Sequence, residues 1–139
     1  MKKSKPLKII IADDDRDDRE LLKFLFNANE RFELIGCFDS GLDVIEEIIT
    51  KKNVPDILLI DMVMPFLTGI EVLEKLDENR AAPKLHTFII STTINAADEK
   101  KHLENPAINF IKKPITLVDI NDLPGLILEG LHVRNDLKI

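Results

Sequence analysis

Tryptophan and tyrosine are absent from this chain, and cysteine occurs once, as Cys37. A lone cysteine excludes an internal disulfide and any cysteine-rich zinc site. His86, His102 and His132 lie far apart in sequence and form no ligand-spaced pair, so surface or satisfied histidines are expected rather than a histidine metal site. No apolar run approaches the ~20 residues of a membrane-spanning helix. The basic start, Met1 to Pro6, leads into strand-like residues and then into acids, without the apolar core and small-residue cleavage site of a signal peptide. A cytoplasmic location, with no membrane partner, is the expectation. Positive charge is also scarce: 19 Lys and Arg face 25 Asp and Glu, a net charge of −6 with a pI near 5.1. That balance disfavours binding to a nucleic-acid backbone, which needs a basic stripe.

What is present is a patterned globular sequence. Its 139 residues, 45% hydrophobic and 32% charged, suit one folded domain, read as residues 1–139 with a core over about 7–131. Leu7 to Ala12 reads as a buried strand, and Asp15 to Asn29 as a helix with Leu21, Leu22, Leu25 and Phe26 on one face. The alternation repeats. Strands are predicted at Phe32 to Cys37, Asp56 to Ile60, Thr87 to Ile90 and Ile108 to Lys112. Helices are predicted at Gly41 to Lys52 (Leu42, Ile45, Ile48 and Ile49 inward), Gly69 to Asn79 (through Ile70, Leu73 and Leu76), Ala96 to Glu104, and Thr116 to about Leu131. Pro124-Gly125 is predicted to split this last region, with Asn121 or Asp122 near the cap of its second piece. Five βα units imply an α/β fold: a doubly wound five-stranded parallel sheet with helices on both faces, because right-handed crossovers lay the helices over the strands. In such open sheets the functional site lies at the carboxyl ends of the strands, where strand order reverses.

Four of the five predicted strands end in reactive side chains: Asp13 and Asp14 after the first, Asp61 after the third, Ser91 after the fourth and Lys113 after the fifth. Six acids crowd the eight positions from Asp13 to Glu20. Carboxylates brought together repel, so either one is protonated or a cation neutralises them. Oxygen ligands without His or Cys select a hard ion such as Mg²⁺. Asp61, on a buried strand followed by the loop Met62 to Gly69, is placed as a nucleophile toward a phosphoryl donor. Such a transfer asks of the protein mainly positioning and charge neutralisation. Lys113 offers a mobile positive charge and Ser91 a hydroxyl donor. Taken singly, these residues read as a charged helix start, a turn aspartate, a turn serine and a surface lysine. Those bland readings do not account for all of them at strand ends facing one cleft.

The segments Ile9-Ile10-Ile11-Ala12-Asp13-Asp14, Asp61-Met62-Val63-Met64-Pro65 with Gly69, Ser91-Thr92, and Phe110-Ile111-Lys112-Lys113-Pro114 together resemble the response-regulator receiver domains of two-component signalling, of the chemotaxis-type single-domain group. The resemblance covers about residues 7 to 131 and implies the flavodoxin-like strand order 2-1-3-4-5. It implies Asp61 as phosphoacceptor, taking a phosphoryl group from a sensor histidine kinase or a histidine phosphotransferase in a Mg²⁺-dependent reaction. It further implies metal binding by Asp14, Asp61 and the Val63 backbone carbonyl, with Asp13 acting through water. Phosphoryl oxygens would meet Ser91, Lys113 and the backbone amides of Met62 and Thr92. Ser91 and Phe110 would form the switch that reports phosphorylation to a downstream protein target. A cis Lys113-Pro114 bond belongs to the same pattern. The chain would then be a signalling domain rather than an enzyme, catalysing only its own phosphorylation and dephosphorylation.

Two departures stand out. Val63 is apolar where many relatives carry a polar side chain, which leaves its backbone role intact, and Pro124-Gly125 interrupts the last helix. Two rival readings compete with this one. A haloacid-dehalogenase-type phosphatase would use the Asp-x-Asp in Asp13-Asp14-Asp15, but this leaves Asp61-Met62-Val63-Met64-Pro65 unexplained. A receiver-like binding module without phosphorylation would not need the reactive side chains that are present.

Overall fold

The structure, a computed structural model, describes residues 5–91, 105, 107–112 and 120–136, with side chains of the last helix up to residue 131. Five parallel strands, β1 (Leu7–Ala12), β2 (Phe32–Phe38), β3 (Ile57–Asp61), β4 (His86–Ser91) and β5 (Ile108–Lys112), form one sheet in the order β2-β1-β3-β4-β5. This is the predicted doubly wound order. The central strands suit such a sheet: Ile9 to Ala12, all of β3 and Thr87 to Ser91 are buried, as strands covered on both faces must be.

The two faces separate by residue parity. Ile10, Ala12, Leu58, Ile60 and Ile89 pack against Val44, Ile48, Ile70, Val72 and Leu76 on one side. Ile9, Ile11, Ile57, Leu59, Phe88 and Ile90 pack on the other against Leu22 and Phe26, and against Ile120, Leu123 and Ile127. Helix α1 (Arg16–Asn27) therefore covers the second face, with Phe26 meeting Phe32 edge to face at 4.9 Å. It starts at Asp15, whose side chain accepts the Asp18 N–H, so one acid of the cluster is a helix cap.

Helix α2 (Gly41–Ile45) continues as a π-helical turn, Glu46–Thr50, closed by a Lys51 N–H to Glu46 carbonyl bond. The predicted inward face needs correction here: Gly41, Val44 and Ile48 line the core, whereas Leu42 is 56% exposed. Gly41 is the contact point, because a Cβ there would come within 2.6 Å of Val72. That contact turns the neighbouring Leu42 outward. Helix α3 (Gly69–Glu78) opens with a capping box between Thr68 and Glu71 and buries Ile70, Val72 and Leu76.

Helix α4 (Leu123–Asp136) runs past the predicted end near Leu131. Ile120 and Asn121 are helical, Asp122 is a turn, and the Asp122 carbonyl accepts the Leu126 N–H, so the chain does break ahead of Pro124. The predicted helix Ala96 to Glu104, the residues Thr92 and Lys113 and the Lys113-Pro114 bond all lie outside the described residues. No helix among the described residues is long and apolar enough to cross a membrane.

Candidate functional site

Parallel register builds the site. Ala12 pairs with Ile60, so one step further along both strands sets Asp13 beside Asp61. Asp61 in turn pairs with Ile90, which places Ser91 one step beyond it at the end of β4. Carboxylate oxygens of Asp13, Asp14 and Asp61 lie within 4.8 Å of one another. The three residues differ in setting: Asp13 is 0% and Asp61 7% exposed, while Asp14 faces solvent.

Asp13 is held by its own peptide frame. Its N–H donates to the Phe38 carbonyl at the end of β2, its Oδ1 accepts the Asp15 N–H at 2.9 Å, and its carbonyl accepts Nη1 of Arg19 at 2.9 Å. Asp61 ends β3, and the chain then turns back over it. The Gly69 N–H donates to the Met62 carbonyl, and a Cβ on Gly69 would come within 2.8 Å of the Asp61 carbonyl oxygen. Only glycine lets α3 begin so close to the strand end. At the outer tip of this loop Leu67 N–H bonds back to the Pro65 carbonyl, and Phe66 sits at φ +70° with its ring 89% exposed.

The backbone amides in this loop divide their work differently from the sequence expectation. The Met62 N–H donates to the Ile90 carbonyl at 2.9 Å, prolonging the β3–β4 ladder, and is engaged in the sheet rather than at the cleft. The amide that addresses the Asp61 carboxylate is that of Val63, at 3.1 Å from Oδ1. The Val63 side chain points to solvent, 66% exposed. Ser91 is buried at the end of β4, and Phe110 is half-buried on the α3 side of the sheet, across from Ile89.

Three carboxylates this close, two of them buried, form an all-oxygen donor set without histidine or cysteine, which suits a hard cation. The sequence singles out Gly69 as part of a motif without revealing it as a spacer, and it does not reveal Arg19 as a partner of the Asp13 backbone. Both depend on contacts between segments that spacing alone does not reveal.

The fold recurs among known proteins. The response regulator domain of Thermotoga maritima CheB superposes with a TM-score of 0.74 at 27% identity, over 94% of this chain and 97% of that domain. The NarL receiver domain of Mycobacterium tuberculosis superposes with a TM-score of 0.72 at 21% identity, over 91% of this chain and 99% of that one, a likeness of fold alone. In sequence, the chain is 33% identical over 110 residues to a protein-glutamate methylesterase/protein-glutamine glutaminase of Pseudomonas aeruginosa, covering 78% of this chain and 30% of that protein. A Myxococcus xanthus protein of the same description is 29% identical over 117 residues, covering 81% of this chain and 31% of its own length. The chain thus spans about a third of the length of these relatives. Residues 9–123 match the response regulator receiver domain, so the chain belongs to that family.

Proposed function

We propose that this receiver domain accepts a phosphoryl group on Asp61 and that residues 1–139 act as one signalling unit. The observation that carries the reading is the meeting of Asp13, Asp14 and Asp61 at the carboxyl edge of the sheet. Membership of the receiver family supports it and leaves the phosphatase reading without support. The donor is a phosphohistidine on a sensor kinase or a phosphotransferase. One Asp61 carboxylate oxygen attacks phosphorus, the N–P bond breaks, and the departing imidazole keeps the bond's electron pair and takes a proton from water. The product is an aspartyl phosphate.

Asp14, Asp61 and the Val63 carbonyl would hold Mg²⁺, with Asp13 acting through water. When bound, the ion offsets the charge of the carboxylates and of the phosphoryl oxygens. The Val63 N–H, directed at Asp61, takes the part that the resemblance gives to the Met62 amide, which is bonded to Ile90. Ser91, the Thr92 amide and Lys113 supply the remaining donors to the phosphoryl group. Drawing the Ser91 hydroxyl toward the new phosphoryl group frees space for Phe110 on the same side of the sheet, so a local charge change reshapes the surface read by a downstream protein partner. The expected setting is the cytoplasm, where such kinases present their phosphohistidine.

Acetyl phosphate with Mg²⁺ should add one phosphoryl group to the wild-type chain, detected by intact mass. Asp61→Asn should take up none, because the amide is not a nucleophile. Equal labelling of Asp61→Asn sinks the assignment.

A further inference from the structure

We infer that Arg19 is a positioning residue for the acidic pair: its guanidinium holds the Asp13 backbone so that the Asp13 and Asp14 carboxylates keep the spacing a divalent cation needs. The inference rests on the receiver reading above for the identity of the ligand, Mg²⁺, but the contact itself is independent of that reading.

Arg19 lies in the first turns of α1, its N–H bonded to the Asp15 carbonyl. Helical side chains lean toward the helix start. A long side chain at this position therefore reaches back over the cap, where its Nη1 meets the Asp13 carbonyl at 2.9 Å in a partly buried setting. The Asp13 peptide is thereby tied on both sides, by Arg19 at its carbonyl and by Phe38 at its N–H. A third bond, from the Asp15 N–H, fixes the Asp13 carboxylate itself. Asp14 is different: it is exposed, and its position follows from the peptide that Arg19 grips.

Charge and positioning predict opposite signs. Arg19 is a cation beside an acidic cluster, so by Coulomb attraction alone its removal should tighten Mg²⁺ binding. If instead it sets the geometry of the ligands, its removal should weaken binding, as loss of an orienting outer partner does by about 10–100-fold in metal sites.

The test compares wild type, Arg19→Met and Arg19→Lys by calorimetric Mg²⁺ titration, thermal unfolding, and the amide chemical shift and hydrogen exchange of Asp15 without metal. Arg19→Met should bind Mg²⁺ about tenfold or more weakly, with faster exchange at the Asp15 amide. Arg19→Lys, which retains a charge and a donor but not the planar fork, should recover part of both. Unchanged or tighter Mg²⁺ binding by Arg19→Met overturns the inference, as does a lysine variant no better than the methionine one. Should Arg19→Met lose its cooperative transition, Arg19→Gln replaces it under the same criteria. A wild-type chain that binds no Mg²⁺ counts against the phosphoacceptor reading. The Asp15 amide then decides the positioning claim: unaltered exchange in Arg19→Met overturns it.

Discussion

Phe66 occupies a backbone conformation that costs a side-chain-bearing residue about 1–2 kcal/mol, at φ +70° and with its ring 89% exposed. So little of the ring is buried that packing does not offset this cost. Glycine would remove the strain but lose more entropy on folding, by about 0.5–1 kcal/mol. Phe66→Gly should therefore stabilise the domain slightly, by about 0.5–1 kcal/mol in urea unfolding. A clear loss of stability would mean that the ring packs against something in solution. Cys37 allows a second test at this scale. Burial pushes its thiol above the ordinary value, with Arg19 and Lys23 pulling part of the way back. The fold thus favours the neutral thiol. That contribution is complete below the unfolded-state thiol pKa and is lost as pH rises through the higher folded one. Because the thiolate is the reactive form, iodoacetamide near pH ~8.5 should modify the folded chain more slowly than the urea-unfolded one. Equal rates would contradict the burial.

Among the elements, α3 bears most directly on the site. Its first residue, Gly69, lies against the Asp61 carbonyl, and Thr68 and Glu71 fix its start through reciprocal bonds. A methyl group at Gly69 would have to displace backbone, which yields less readily than a side chain. Gly69→Ala should cost about 1–3 kcal/mol and shift the amide resonances of Asp61 and Met62, with weaker Mg²⁺ binding following from the moved carboxylate. Normal stability and unshifted resonances in that variant would show that α3 can back away from β3. The π-helical turn after α2 is a finding of the same rank. Gly41, Val44 and Ile48 keep the three- and four-residue spacing of one helical face toward the core, as expected for Ile48, and Leu42 falls outside that face.

At the scale of the whole molecule, site and stability are linked through charge. Three carboxylates within 4.8 Å of one another repel in the metal-free domain. Asp14→Ala removes the exposed member and should raise the metal-free melting temperature by roughly 2–5 °C. Wild type should gain about 2.7 kcal/mol when Mg²⁺ stands at a hundred times its Kd, whereas Asp14→Ala at that Mg²⁺ concentration should gain little. Calorimetric melting with and without Mg²⁺ checks both; an equal gain in the two proteins would place the ion elsewhere.

Strand positions, the βα alternation and the strand ends bearing Asp13, Asp61 and Ser91 were legible in the sequence, because burial on both faces leaves unbroken apolar runs that stop where the chain reaches solvent. The motif segments likewise pointed to the receiver family that residues 9–123 match. Lys113 and Thr92 remain expectations from sequence. Tertiary structure decided which atoms meet. Register brought Asp13 to Asp61, the β3–β4 ladder took the Met62 amide and left Val63's for the carboxylate, and close contact at Gly41 and Gly69 set the outward turn of Leu42 and the seat of α3. The reason is physical. Periodicity along a chain reports which face of an element is buried, but contacts between elements depend on register and on the space each side chain leaves, quantities that exist only once distant segments are packed together.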